Sequence, residues 1–298
     1  MRVAELYKDA VQRLQAADVS EPEIETALLL GHVLRLGRTQ LLLAADLIVS
    51  QADGDSFARL LARRLQREPL AYILGEREFW SRSFLVNRDV LIPRPETELL
   101  VERALARLKG TPAARGPLLD LGTGSGIIAI VLALELPEAM VYAIDRSRAA
   151  LEVACANARR HGVADRIRFV ASDWLAGIGN RPFFEAVLSN PPYVPQEILR
   201  SSGPSAEALQ PEVLNYEPHL ALDGGTAGLE TIDRLGRDIP AVLRPGGWVF
   251  MEIGAEQADV VSDMFSRPGS RFADLAVTAD YAGFPRIFEA RFGRADSL

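Results

Sequence analysis

One cysteine, Cys155, is all that the 298-residue chain carries. A disulfide framework is therefore excluded, and a reducing compartment is expected. Lysine is nearly as scarce. Lys8 and Lys109 are the two present, and arginine supplies the rest of the positive charge. Histidine occurs at His32, His161 and His219 alone, each read as a structural or exposed residue. Long apolar runs are missing too. The longest, Gly126 to Leu134, stops at Glu135 and is too short to span a bilayer. The opening MRVAELYKDAVQRL is amphipathic with charges throughout, without the apolar centre of a signal peptide. A cytoplasmic chain with no membrane partner is expected. Basic charge in excess is also absent: the net charge is -7 and the sequence pI about 5.2. Direct nucleic-acid binding is not expected of such a surface, because affinity there comes mostly from neutralised phosphates. An acidic protein can still carry a local basic patch.

What is present suits a folded chain of two compact parts. An apolar fraction of 48% with 24% charged residues predicts a sizeable core and no disorder. Residues 1–80 read as a small all-α bundle. Ala4, Leu6, Ala10, Val11, Leu14 and Ala17 recur at helical spacing. Ser20-Glu21-Pro22-Glu23 has the form of a capping box, and a helix over 51–68 meets a stop at Pro69. Residues 81–98 read as a hairpin and a proline-containing connector, with a strand-like stretch from Phe79 to Val90. From 99 to 298 strands and helices alternate. Strands are expected over 118–122, 140–145, 167–173, 184–189, 246–254, 275–278 and 286–292, the last two as an antiparallel pair. That order predicts a mostly parallel sheet covered by helices on both faces. Ligands of such sheets lie at the carboxyl ends of the strands, near the switch in strand order. The polar stretch 196–225 is expected to be a long loop over that site, able to move.

Gly122-Thr123-Gly124-Ser125-Gly126 follows the first of these strands and opens a helix. Glycine lets the backbone turn tightly and approach a ligand closely. Asp145 ends the next strand, where a carboxylate can accept both hydroxyls of a ribose. The glycines are spaced one residue tighter than in a dinucleotide fingerprint, and an acid, Asp120, precedes them. An acid there suits a cationic amino-acid tail and not a pyrophosphate. The pattern resembles the first motif of class I S-adenosylmethionine-dependent methyltransferases. The resemblance implies a Rossmann-like domain with a mostly parallel seven-stranded sheet, S-adenosyl-L-methionine as cofactor, and no metal. It also implies that Asp145 holds the ribose and that Ser172-Asp173-Trp174 lie beside the adenine. Trp174 is either a wall for the base or a core tryptophan.

At the end of the fourth expected strand stands Asn190-Pro191-Pro192-Tyr193. This segment resembles the [D/N]-P-P-Y motif of methyltransferases acting on planar, sp2-linked nitrogens. The lone pair of such a nitrogen is spread into the adjacent π-system, so its N–H groups need fixed acceptors. The Asn190 side-chain oxygen and the Pro191 carbonyl are two such acceptors. The prolines fix φ and bring no competing donor, and Tyr193 can stack on the flat group. Asn190, Pro191 and Tyr193 are the candidate catalytic residues. With Pro192 they form the candidate substrate pocket. Gly122, Thr123, Gly124, Ser125, Gly126, Asp145, Trp174 and Asn190 are the candidate cofactor residues.

The motif leaves the substrate open, since adenine, guanine and glutamine nitrogens share this chemistry. Ile92-Pro93-Arg94-Pro95-Glu96-Thr97-Glu98 resembles the I-P-R-P-[D/E]-T-E connector of the peptide chain release factor glutamine methyltransferases, the PrmC/HemK family. Tyr216-Glu217-Pro218 with Leu222-Asp223-Gly224-Gly225 resembles that family's Y-E-P and L-x-G-G stretch, and the helical first part has the size of its N-terminal domain. The resemblance implies methyl transfer to the glutamine of the Gly-Gly-Gln motif of class I release factors, with residues 1–80 recognising the protein substrate. An amino-methyltransferase of adenine or guanine is the alternative, and the acidic balance weighs against it. A nicotinamide oxidoreductase leaves Asn190-Pro191-Pro192-Tyr193 without a role, and a non-catalytic adaptor leaves every motif residue without one.

Overall fold

The computed structural model describes residues 1–200 and 209–293. Two compact units are formed, one by Met1–Glu76 with Gln210–Tyr216 and one by Arg77–Leu209 with Glu217–Leu298.

The first unit is helical, with α1 Val3–Ala16, α2 Pro22–Leu34, α3 Arg38–Leu43, α4 Gln51–Leu65 and α5 Leu70–Leu74. Its core joins Ala10 and Leu14 of α1, Leu29 and Leu30 of α2, and Phe57 and Leu61 of α4. Ser50 caps α4 by accepting the Asp53 N–H at 3.1 Å. The capping box expected at Ser20 does not form. The residue before α2 is Glu21, which makes no side-chain cap bond, and Pro22 starts the helix.

The expectation that everything after residue 99 belongs to the second unit is corrected at Gln210–Tyr216. Arg64, buried in α4, pairs with Glu25 and, at 2.9 Å, with Glu212. Arg67 pairs with Glu212 at 2.8 Å, and the Tyr216 hydroxyl donates to the Gln66 carbonyl at 2.6 Å. A buried guanidinium needs anions on more than one side, and the second carboxylate comes from far along the chain.

A hairpin follows, β1 Glu76–Phe79 and β2 Arg82–Leu85, which from Arg77 onward belongs to the second unit. Trp80 and Ser81 between them both have positive φ, 55° and 53°, the geometry of a two-residue type I′ turn. Asparagine and glycine usually serve there, so the turn is not visible in the sequence. The hairpin expected within 81–98 is thus present but begins earlier, at Glu76, and ends at Leu85. Anchors replace propensity: the Trp80 N–H donates to Glu98 at 2.7 Å and its indole N–H to Glu135 at 3.1 Å.

After α6 Glu96–Leu108 come β3 Pro117–Leu121, α7 Ile127–Glu135, β4 Met140–Asp145, α8 Arg148–Arg160, β5 Ile167–Ala171 and β6 Phe184–Ser189. Then follow α9 Gln196–Arg200, α10 Pro211–Tyr216 in the first unit, α11 Glu230–Asp238, β7 Leu243–Glu252, α12 Ala258–Phe265, β8 Phe272–Ala279 and β9 Pro285–Phe292. The seven strands are ordered β5-β4-β3-β6-β7-β9-β8. β9 runs antiparallel to both of its neighbours, and the other observed pairings are parallel. This is the Rossmann-like α/β sheet expected.

Alternation along the strands sorts two cores. Leu118, Val141, Ala143, Ala186 and Leu188 face one, with α6 and α7. Leu119, Leu121, Ile144, Val187 and Met251 face the other, with α11 and α12. Helix α7 is apolar on every side, and seven of its nine residues are buried, as expected of a helix enclosed by the fold. The chain runs from β3 outward to β5 and then returns to β6 beside β3. The switch point therefore lies between the carboxyl ends of β3 and β6.

Residues 196–225 are not the single loop expected. Helices α9 and α10 and a short 3-10 turn at His219–Ala221 occupy much of the stretch. The Val194 N–H donates to the Leu222 carbonyl, and Gly224 N–H to the Val194 carbonyl, both at 2.9 Å. The expected movement of 201–208 lies outside the described residues.

Candidate active site

A cavity of about 190 Å³ opens at the switch point. Gly122, Thr123, Gly124 and Ser125 line it from the β3 side, Asp145 from β4, Ser172 and Trp174 from beyond β5, and Asn190 with Pro192 from beyond β6. The sequence-derived residues thus meet at one place, with three exceptions. Gly126, Pro191 and Tyr193 do not border the cavity.

The glycine loop is built from both ends. The N–H groups of Gly122 and Thr123 both donate to the Ile144 carbonyl at 2.9 Å, tying the loop to β4. Asp145 accepts the Gly124 N–H at 2.9 Å on one oxygen and the Ser147 N–H at 2.8 Å on the other. Gly124, at φ 53°, has open space where a Cβ would stand. Gly126 is needed for a different reason. At φ 85° its added Cβ would lie 3.0 Å from the Ala154 Cβ and 3.1 Å from Ile130. It permits the close packing of α7 on α8.

Asp120 is fully buried behind the loop. One of its oxygens accepts the Thr123 hydroxyl at 2.6 Å and the Ala129 N–H at 3.1 Å. Ala129 lies in the first turn of α7, where N–H groups lack helical partners and a negative charge is favoured. The other oxygen, Oδ1, has no hydrogen-bond partner. Burial is the main force on this carboxyl and pushes its pKa up to about 7, against those two hydrogen bonds and with help from the Asp145 charge.

Trp174 has both cavity and core neighbours. It borders the cavity and packs against the core beneath the sheet. Its ring covers Gly122, where an added Cβ would come within 3.4 Å of it. Its backbone is held at φ 52°, which costs a non-glycine residue roughly 1–2 kcal/mol. Such strain persists only where the surroundings fix it.

At the end of β6, Asn190 is half-buried and Pro191 buried. The Asn190 Nδ2–H donates to the Thr97 hydroxyl oxygen at 3.1 Å. The Thr97 hydroxyl donates to Glu252 at 2.7 Å, and the Tyr193 hydroxyl donates to the other Glu252 oxygen at 3.3 Å. Glu252 is buried at the end of β7. Burial raises its pKa, opposed by Thr97, Arg286 and Tyr193. Tyr193 is likewise raised, first by burial and then by the Glu252 charge.

Residues 89–97 supply cavity walls not assigned from the sequence. Ile92, Pro93, Arg94 and Thr97 border the cavity. Glu217, also buried, accepts the Ile92 N–H at 3.1 Å and pairs with Arg94 at 2.5 Å. The signal for Glu252 was a lone acid in the apolar strand Trp248-Val249-Phe250-Met251-Glu252-Ile253, and for Glu217 an acid between Tyr216 and Pro218.

The described residues contain no cluster of His, Cys, Asp or Glu able to hold a metal ion, and no helix among them is long and apolar enough to cross a membrane. Residues 5–75 match the family described as the PrmC N-terminal domain, and residues 95–202 match the methyltransferase small domain. A release factor glutamine methyltransferase of Nitratidesulfovibrio vulgaris is 41% identical over 96% of this chain and 94% of its own length. One of Cereibacter sphaeroides is 41% identical over 99% of this chain and 100% of its own length. Among solved structures, a methyltransferase of Pyrococcus furiosus superposes with a TM-score of 0.51 at 17% identity, covering 80% of this chain and 99% of its own. That likeness speaks for the fold alone.

Proposed function

Because the chain belongs to the release factor glutamine methyltransferase family, we propose that it transfers a methyl group from S-adenosyl-L-methionine to the side-chain amide nitrogen of the Gly-Gly-Gln glutamine in class I release factors. The observation that carries this reading is the placement of Asn190 beside a glycine-loop cavity, with its amide nitrogen already engaged by Thr97.

The cavity fits a nucleoside bearing an amino-acid tail. Gly124 leaves open space above its backbone, and the Asp145 carboxylate stands at the rim where a ribose is expected. Trp174 offers a ring to a base. Asp120, with an unpartnered oxygen, puts an acid behind the loop. Gly122, Thr123, Gly124, Ser125, Asp145, Trp174 and Asn190 would hold the cofactor, which supplies an electrophilic methyl carbon on a sulfonium.

The chain's own residues then have to aim a weak nucleophile. Asn190 Oδ1 and the Pro191 carbonyl accept the two N–H groups of the glutamine amide. That grip turns the lone pair toward the cofactor side, and as positive charge grows on nitrogen it meets dipoles already oriented. Pro191 and Pro192 keep the segment stiff and bring no competing donor. The Tyr193 ring, tethered through its hydroxyl to Glu252, forms the far wall for the glutamine. No general base is needed, because the proton can leave after transfer. The helical unit, which carries no catalytic motif, binds the body of the release factor.

Transfer of labelled methyl from S-adenosyl-L-methionine to purified class I release factor, with mass spectrometry of the Gly-Gly-Gln peptide, tests the proposal. One added methyl on that glutamine is expected. Label entering RNA or DNA and not the release factor would favour the nucleic-acid alternative.

A further inference from the structure

We propose that Thr97 and Glu252 are positioning residues that decide which limb of the Asn190 carboxamide faces the cavity. An asparagine amide has two ends of nearly the same shape and opposite hydrogen-bonding sense. Only the oxygen end can accept an N–H from a glutamine. The nitrogen end would set donor against donor. Something must therefore break the symmetry before substrate arrives.

The order of donors does this. In its carboxylate form, which the Thr97 and Tyr193 hydroxyls favour against burial, Glu252 can only accept. One oxygen takes the Thr97 hydroxyl at 2.7 Å and the other takes the Tyr193 hydroxyl at 3.3 Å. The single proton of Thr97 is thereby committed, and its oxygen is left as an acceptor. Asn190 can meet that oxygen only with Nδ2–H, as it does at 3.1 Å. Its Oδ1 is then the limb left for the cavity. Thr97 and Glu252 are both buried, at 1% exposure each. The three residues come from the connector helix, the end of β6 and the end of β7. Thr97 therefore links the proline-containing connector to the chemistry at Asn190.

The inference rests on the proposed use of Asn190 Oδ1 as an acceptor, and its test separates the two. Thr97→Val keeps shape and removes the hydroxyl. Thr97→Ser restores it. Glu252→Gln keeps shape but can donate as well as accept, so the direction of the relay is no longer imposed. Thr97→Val is expected to lower kcat on whole release factor at least tenfold, a difference of about 1.4 kcal/mol. The KM for S-adenosyl-L-methionine should stay within about threefold, a modest change on the same logarithmic scale. Thr97→Ser should recover most of the loss, and Glu252→Gln should fall between. A Thr97→Val enzyme within twofold of wild type by that measure, or a Thr97→Ser enzyme as slow as Thr97→Val, overturns the proposal.

A thermal double-mutant cycle of Thr97→Val with Asn190→Ala, run without substrate or cofactor, reads the same link independently. Non-additive Tm shifts support it and additive shifts overturn it. Coupling that persists while wild-type enzyme leaves release factor unmethylated defeats the substrate reading alone.

Discussion

Asp120→Asn tests the idea that this acid is held close to neutrality inside the fold. The carboxyl is buried, and its pKa is pushed up to about 7 from an ordinary 3.8. Below pH 3.8 both folded and unfolded chains hold the proton, and the group has no effect on stability. As pH rises, the unfolded chain gives up its proton first, so stability is lost until the folded carboxyl also ionises near 7. From pH 5 to 8, at roughly 1.36 kcal/mol per pH unit until the folded group titrates, that comes to about 3 kcal/mol, most of it lost by pH 7. Asparagine does not titrate. Its oxygen can still accept from Thr123 and Ala129, while its –NH2 takes the position of the unpartnered Oδ1. That buried donor costs about 1–3 kcal/mol at every pH. The variant should therefore gain on wild type by about 3 kcal/mol on going from pH 5 to pH 8. Urea denaturation of both proteins at pH 5, 6, 7 and 8 measures this difference directly. Parallel stability profiles for the two proteins would show that Asp120 is ionised throughout, and the reasoning would fail.

Asn190→Ala should lower turnover by about two or more orders of magnitude, as loss of a preorganised dipole does, with the cofactor Kd changed much less; near-normal turnover contradicts the mechanism. Asp145→Ala should act mainly on cofactor binding. It removes the proposed ribose acceptor and frees the Gly124 and Ser147 N–H groups, so calorimetry should find affinity weakened by roughly one to two orders of magnitude. Leu42 and Leu43 on α3 are 74% and 84% exposed. If the helical unit meets the release factor through this apolar pair, Leu42→Ser with Leu43→Ser should raise the KM for whole release factor several-fold while leaving kcat alone, and an unchanged KM shows that it does not.

The parts of the site readable from the sequence are those set by short stretches of backbone. Gly122 to Gly126 announce a strand-to-helix turn, Asp145 closes the next strand, and Asn190-Pro191-Pro192-Tyr193 can only end a strand. Each carries its geometry within a few residues, so spacing alone brought them toward one end of the sheet. The sheet itself was legible for the same reason, through alternating apolar strands and helices. What stayed hidden depends on pairs far apart in the chain. Thr97 and Glu252 are separated by 155 positions, and nothing local in either announces the other. Glu212 reads as an ordinary surface acid until Arg64 is seen buried beside it. The turn at Trp80-Ser81 lacks the residues that usually mark it and is held by Glu98 and Glu135 instead. The packing duty of Gly126 was hidden because a glycine that admits a ligand and a glycine that admits a neighbouring helix look the same in sequence.

A structure of the enzyme with S-adenosyl-L-homocysteine and a release factor tests the central geometry most directly. The glutamine side-chain nitrogen should lie within hydrogen-bonding distance of both Asn190 Oδ1 and the Pro191 carbonyl, facing the sulfur. A glutamine amide seated elsewhere, with neither oxygen as its partner, would contradict the account.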